Sequence, residues 1–366
     1  MKIPVYEPDL SGNEVSYAED AIRSGWISSI GAYVQRFEQA IAQVTGSSQA
    51  VAVCNGTVAL HLGLHCLDIG PGDEVIVPTF TYIASVNTIA QTGAKPVFVD
   101  SRMSDWLLDP VDVERHITPR TKAVMPVHLF GAVCDPMVAE IARAKGIAVI
   151  EDCAEALGSR IGDQHVGVDA DVATFSFFGN KTVTTGEGGA VIARDPAVAE
   201  RMRKVKGQGQ SLTRRYWHDE LGFNYRMTNI AAAIGVAQME RLDQILDRKA
   251  NIAALYKRHL VGSGLTFQQL GNGVTSSNWL VSLLLPEACD RDAVMAFMAE
   301  RGVDSRPVFY CAHHMPMYLT GETMPVAESI AARGLSLPSY PGLTDEQVER
   351  VSSCLLDAIK AVHGNV

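Results

Sequence analysis

No run of about 18 apolar residues occurs in this 366-residue sequence, so a spanning helix is not expected. Nor does an apolar segment follow the charged N-terminus Met1-Lys2, and a signal peptide is therefore not expected either. Basic runs are missing too. The densest stretch, Arg201 to Lys206, reads as the polar side of one helix, and the net charge is -10, which argues against a nucleic-acid partner. Cysteine is sparse. There are seven, an odd number with no Cys-x-x-Cys pair, and Cys54, Cys66, Cys134 and Cys153 stand in apolar surroundings. That usage suits reduced thiols and a cytoplasmic compartment without a membrane partner. The adjacent His313-His314 has no cysteine or carboxylate at ligand spacing, so no metal site is expected.

Several signatures are absent as well. No Gly-x-Gly-x-x-Gly follows the early strands, which removes the dinucleotide fingerprint. Asn55-Gly56-Thr57 lacks the Gly-Lys-Ser/Thr of a P-loop, and Gly-x-Ser-x-Gly does not occur.

What is present is alternation. Hydrophobic residues make up 47% and charged residues 20% of the chain, ordinary for a globular protein. From about residue 45, short β-rich runs such as Glu74 to Pro78 and Pro96 to Asp100 alternate with amphipathic segments such as Thr57 to Leu67. Further strands are expected over 122–127, 147–151 and 174–178, with a close antiparallel return over 190–193. This order predicts an α/β fold with a mostly parallel central sheet covered by helices. A long helical region with a break is expected over 229–259. The Gly-rich stretch 262–273 then suggests a boundary, dividing the chain into a large domain, 1–250, and a smaller C-terminal α+β domain, 251–366.

Ligands of such sheets collect at the carboxyl ends of the strands, where the unusual residues of this chain lie. Gly56 and Thr57 open a helix whose first amides can hold a phosphate, or they are an ordinary cap. Asp152 ends an apolar strand, where a buried carboxylate calls for a cation such as a protonated pyridine nitrogen; a simple capping role is the alternative. Lys181 follows the strand ending near Phe178, in a Gly- and Thr-rich loop. It can form a carbonyl adduct once neutral, or it is an exposed turn lysine. Ser176 is within reach of the same phosphate, and Tyr82 offers a ring for stacking or for the core. Together the set meets four needs of pyridoxal 5'-phosphate: an anion site, a ring face, a partner for the ring nitrogen and an amine for the aldehyde.

The stretches Gly25 to Ser29, Asn55 to Leu60, Pro78 to Tyr82, Glu151 to Gly158, Ser176 to Lys181, Gly186 to Gly189 and Gly222 to Met227 resemble the DegT/DnrJ/EryC1/StrS sugar aminotransferases. The resemblance implies a fold-type I pyridoxal-phosphate enzyme, with Lys181 as the Schiff-base lysine and Asp152 on the pyridine nitrogen. It further implies Gly56, Thr57 and Ser176 at the phosphate, Tyr82 on the ring and Glu155 near the phenolic oxygen. Asn224 is expected to reach the phosphate of a neighbouring subunit, making a homodimer with shared active sites. L-Glutamate is the implied amino donor, and a nucleotide-diphosphate keto sugar the acceptor. The segment Gly302 to Pro307 with His313 favours GDP-4-keto-6-deoxymannose over UDP- or dTDP-linked sugars. Arg306 and His313 are expected at the diphosphate, and Trp26 and Ser28 at the sugar. A non-catalytic cofactor-binding regulator is the alternative of another class.

Overall fold

Strands in this chain start where a Gly, Pro or Asp turn releases an apolar run, and the computed structural model, which describes residues 2–211 and 213–363, follows that punctuation. The strands of the first part are β1 (Ala50–Val53), β2 (Glu74–Pro78), β3 (Lys95–Val99), β4 (Thr121–Val124) and β5 (Ala148–Asp152). They continue with the short β6 (Arg160–Ile161) and β7 (Gln164–His165), then β8 (Val172–Ser176) and β9 (Gly189–Ala193). Seven of them form one sheet in the order β1-β9-β8-β5-β4-β2-β3. Within it β9 alone runs against its neighbours, as the close return after residue 176 predicts. The other pairings, β8-β5, β5-β4, β4-β2 and β2-β3, are parallel.

Alternation assigns each side chain of the sheet to one face. Val51, Val53, Val75 and Val77 enter one apolar cluster, whereas Ala50, Ala52 and Ile76 enter a second on the opposite face. Helices cover both sides, so the strands are buried almost throughout. The amphipathic segment Thr57 to Leu67 falls in the helix Gly56–Cys66, and a further helix, Ile83–Gln91, follows Tyr82. The long region 229–259 does break, into Asn229–Met239 and Leu242–His259.

Farther along come β10 (Thr266–Phe267), β11 (Val274–Thr275), β12 (Val281–Leu284), β13 (Arg306–Pro307) and β14 (Gly334–Leu337). Strands β10, β12, β14 and β13 make a four-stranded antiparallel sheet, while β11 joins β6 and β7 in a small third sheet. A third apolar cluster gathers Ile252, Leu283, Val294, Leu335 and Leu355, and it also takes in Ile3 from the N-terminal segment. That segment pairs with the chain's far end: Ile3 donates its amide to Gly302 O at 2.8 Å, and Ser339 donates to Val5 O at 3.0 Å.

Candidate active site

The carboxyl ends of β5 and β8 sit side by side, with Asp152 in register with Thr174. Chain segments leaving these two strands and β1, β2 and β4, together with residues around β12, β13 and β14, enclose a cavity of about 410 Å³. Its volume falls in the range of roughly 300–1,000 Å³ typical of small-molecule sites.

At one end of the cavity the helix Gly56–Cys66 presents its first turn. Asn55 caps it, its Oδ1 accepting the Val58 amide at 2.9 Å, which leaves the earliest amides without helical partners. Gly56 is required here for space. A Cβ at this position would lie 2.8 Å from Ser176 Cβ, so glycine keeps open a cradle between the helix start and the end of β8. Amides, the Thr57 hydroxyl and the Ser176 hydroxyl form a donor set of the kind that binds phosphate.

Asp152, the last residue of β5, is buried. Its Oδ2 accepts the Ser85 hydroxyl at 2.7 Å and its Oδ1 accepts the Ala154 amide at 3.0 Å, fixing a carboxylate that lines the cavity. Lys181 lies across from it in the turn after β8, its amide bonded to Phe178 O at 2.9 Å. Nζ of Lys181 stands 3.4 Å from Glu155 Oε1 and 4.0 Å over the Trp279 ring. Glu155 Oε2 also accepts the Phe130 amide at 2.8 Å. Burial pushes the Glu155 carboxyl up to about 6, against the pull of the Lys181 ammonium and the Phe130 amide.

Phe130 takes a left-handed backbone conformation, φ 59°, uncommon for an aromatic residue. The strain turns its amide toward Glu155. Its ring stacks between Trp279 and Phe309, with interplanar angles of 5° and 11°. Neither Phe130, Trp279 nor Phe309 stands out in the sequence as a site residue, because their pairing is purely tertiary. A signal was available only for Trp279, which precedes an apolar strand.

Of the residues singled out in the sequence, Gly56, Thr57, Tyr82, Asp152, Glu155, Ser176, Lys181 and Arg306 line the one cavity. Four others do not. His313 is wholly buried: its Nδ1 lies 2.6 Å from Thr79 Oγ1 and its Nε2 3.2 Å from Glu328 Oε1, so it is not free for a diphosphate in this structure. The fold also supplies the carboxylate that spacing could not show, since Glu328 faces both His313 and His314. It receives the Met324 amide as well, capping its own helix. Trp26 and Ser28 are exposed on the chain's surface, where their carbonyls receive bonds from Asn229. Asn224 is exposed too, its Oδ1 accepting from Arg226 at 3.0 Å. None of the three lines the cavity of its own chain.

Pyridoxal phosphate fits the residues present: a cradle that a methyl group would fill, a fixed buried carboxylate, and an amine held by a carboxylate and a ring face. This arrangement on a fold-type I sheet defines a pyridoxal-phosphate-dependent aminotransferase. The chain belongs to the DegT/DnrJ/EryC1/StrS aminotransferase family, whose profile matches residues 8–356. It is 47% identical over 359 residues to a GDP-perosamine synthase of Vibrio cholerae, covering 96% of this chain and 98% of that one. Against the GDP-perosamine synthase of Escherichia coli O157:H7 the identity is 48% over 348 residues, covering 94% and 95%. The crystal structure of the aminotransferase TlmJ from Streptoalloteichus hindustanus superposes with a TM-score of 0.93 at 31% identity, covering 99% and 100%. Among the described residues no helix is long and apolar enough to cross a membrane.

Proposed function

We propose that this enzyme moves the amino group of L-glutamate to GDP-4-keto-6-deoxymannose, giving GDP-perosamine and 2-oxoglutarate. The observation that carries the reading is the convergence of Lys181, Asp152 and the Gly56–Ser176 cradle on one cavity, in a chain nearly half identical to two GDP-perosamine synthases.

Each residue has a physical task. The first turn of the Gly56–Cys66 helix, Thr57 and Ser176 hold the cofactor's phosphate, and Tyr82 covers one face of its ring. Asp152, locked by Ser85 and the Ala154 amide, keeps a proton on the ring nitrogen by charge attraction. Once bound, pyridoxal phosphate supplies the electron sink and carries nitrogen between the two substrates. Lys181 would join the cofactor through Nζ and, with that amine free, would take up and return a proton at the donor's α carbon. Glu155 Oε1, 3.4 Å from that amine, steadies the charge that Nζ acquires. Arg306, at the cavity wall in β13, is the cation available to the diphosphate of the acceptor.

The reading includes a two-fold homodimer in which Asn224 completes the phosphate site of its partner. Its support is the exposure of Asn224 away from its own cavity, together with the exposed apolar side chains of Trp26, Ile27, Ile30 and Phe178 on the same chain. The division into 1–250 and 251–366 belongs to it as well, supported by the separate apolar cluster around the four-stranded sheet; the helix Leu242–His259 crosses that line, and Ile3 joins the cluster from the N-terminal segment. So does a cytoplasmic location, in keeping with seven unpaired cysteines.

The experiment is direct. Cofactor-loaded enzyme is incubated with L-glutamate and GDP-4-keto-6-deoxymannose, and the sugar product is weighed by mass spectrometry. Gain of an amino group on the sugar is expected. Production of 2-oxoglutarate with the GDP sugar unchanged, but with a dTDP- or UDP-linked keto sugar aminated, would move the acceptor and keep the chemistry.

A further inference from the structure

The turn that carries Lys181 belongs to no helix or strand, yet two consecutive carbonyls in it are held from afar. Trp279 donates its indole Nε1–H to Asn180 O at 2.7 Å, and Tyr6 donates its hydroxyl to Lys181 O at 2.5 Å. The partners lie on opposite sides of the turn in sequence, Trp279 99 positions after Asn180 and Tyr6 175 positions before Lys181. Among the described residues no backbone amide reaches the Lys181 carbonyl, so its orientation rests on Tyr6.

Tyr6 is itself held on several sides. The residue before it, Val5, accepts the Ser339 amide at 3.0 Å, and Ile3 is paired on both sides to Gly302 and Asp304. Lys249 reaches over the Tyr6 ring, its Nζ 5.6 Å from the centroid and 3.2 Å from Ser339 O. Lys249 is wholly buried, and neither a carboxylate bond nor an ion pair to it occurs among the described residues. It therefore serves the strap formed by residues 3–6 and 339 rather than a charge partner. Burial pushes the Tyr6 phenol well above its ordinary range, so the hydroxyl keeps its proton and remains a donor.

We infer that Tyr6 is a positioning residue for the reactive lysine: its hydroxyl fixes the Lys181 carbonyl and thereby the place at which Nζ enters the cavity. The inference rests on the reading of Lys181 given above. A ring that only filled space would be served by phenylalanine, and a half-buried hydroxyl needs a partner to offset its lost hydration. The lysine must hold one place when joined to the cofactor and another when it moves a proton. Catalytic rates are sensitive to displacements of about 1 Å, so freeing the carbonyl should slow the step that depends on Nζ.

The test uses wild-type and Tyr6→Phe holoenzymes. Borohydride reduction and peptide mass locate the cofactor, and stopped-flow absorbance follows its conversion by L-glutamate. Tyr6→Phe is expected to retain the cofactor on Lys181 and to react roughly tenfold more slowly at saturating glutamate. The glutamate concentration for half-saturation should stay within about twofold, because Tyr6 does not line the cavity. Lys249→Met, which loosens the strap from its other side, should give a smaller loss with the same pattern. Failure to trap cofactor on wild-type Lys181 would remove the reading of that lysine and the inference with it. Trapping on Lys181 with an unchanged rate in Tyr6→Phe overturns the inference alone, as does a raised half-saturation at unchanged rate.

Discussion

Glu155 lies between two groups of the candidate site, the Lys181 amine and the Phe130 amide. Its carboxyl is raised to about 6 by burial, above the usual 4.5. The folded chain thus binds this proton more tightly than the unfolded one. The sign follows: the contribution of Glu155 to stability is fullest below about 4.5 and is lost as pH rises through 6. In cofactor-free protein, the urea midpoint of Glu155→Gln minus that of wild type should therefore change between pH 4.5 and 6 and level off above. A difference that is flat across that window would contradict the raised carboxyl. Lys181→Ala carries the simplest expectation at this scale. It should leave the fold intact, abolish borohydride fixation of the cofactor, and reduce amination of the sugar below detection in a multiple-turnover assay.

The site was legible at strand ends and illegible elsewhere, for reasons visible in particular elements. Asp152 ends the apolar run of β5, Lys181 stands in the Gly-rich turn just after β8, and Gly56-Thr57 opens a capped helix, so local sequence marks all of them. The sheet followed from the same punctuation, and its antiparallel return from the short distance between β8 and β9. Proline marks the start of the helices Pro110–His116, Pro196–Val205 and Pro325–Arg333; the sequence placed only the second, through the basic stretch 201–206, and left the other two unassigned. Nothing local tells that Phe130 faces Glu155, that His313 is sealed by Thr79 and Glu328, or that Tyr6 reaches Lys181, 175 positions away.

At the element scale the start of the Gly56–Cys66 helix makes a sharp test. Gly56→Ala places a methyl group against Ser176, so it should weaken pyridoxal phosphate binding by about tenfold or more in an equilibrium titration of the apoenzyme. The helix Leu242–His259 makes another. Burial pushes the Lys249 ammonium down to about 7, so below that pH the folded chain holds a charge at a cost, while the unfolded chain stays charged to about 10.5. Stability from this group rises with pH between those values. Lys249→Met should be the more stable protein near pH 7, by about 1–2 kcal/mol, and the gain should shrink toward pH 10. Denaturant melts at three pH values read it.

For the whole molecule, the proposed sharing of active sites across a dimer predicts complementation. Asn224→Asp sets a carboxylate against the phosphate and should inactivate the partner's site, as Lys181→Ala inactivates its own. Dissociated and randomly reassociated, these two inactive dimers should regain about one quarter of the wild-type sites, since half the dimers are mixed and each has one intact site. No recovery would mean that Asn224 serves the chain it belongs to.

The strap between Ile3–Tyr6 and Ser339 also bears on how the protein is made. A ribosome delivers Asp152, Ser176 and Lys181 by mid-synthesis, with the large sheet ready to form around them. Trp279 follows about a hundred residues later, and Ser339, which anchors the strap, emerges near the end. A nascent chain thus owns the residues proposed for the cofactor long before it owns the two hydrogen bonds that hold the Lys181 turn. Domains fold roughly as they appear, so the unfinished polypeptide gathers its chemistry early and arms it last.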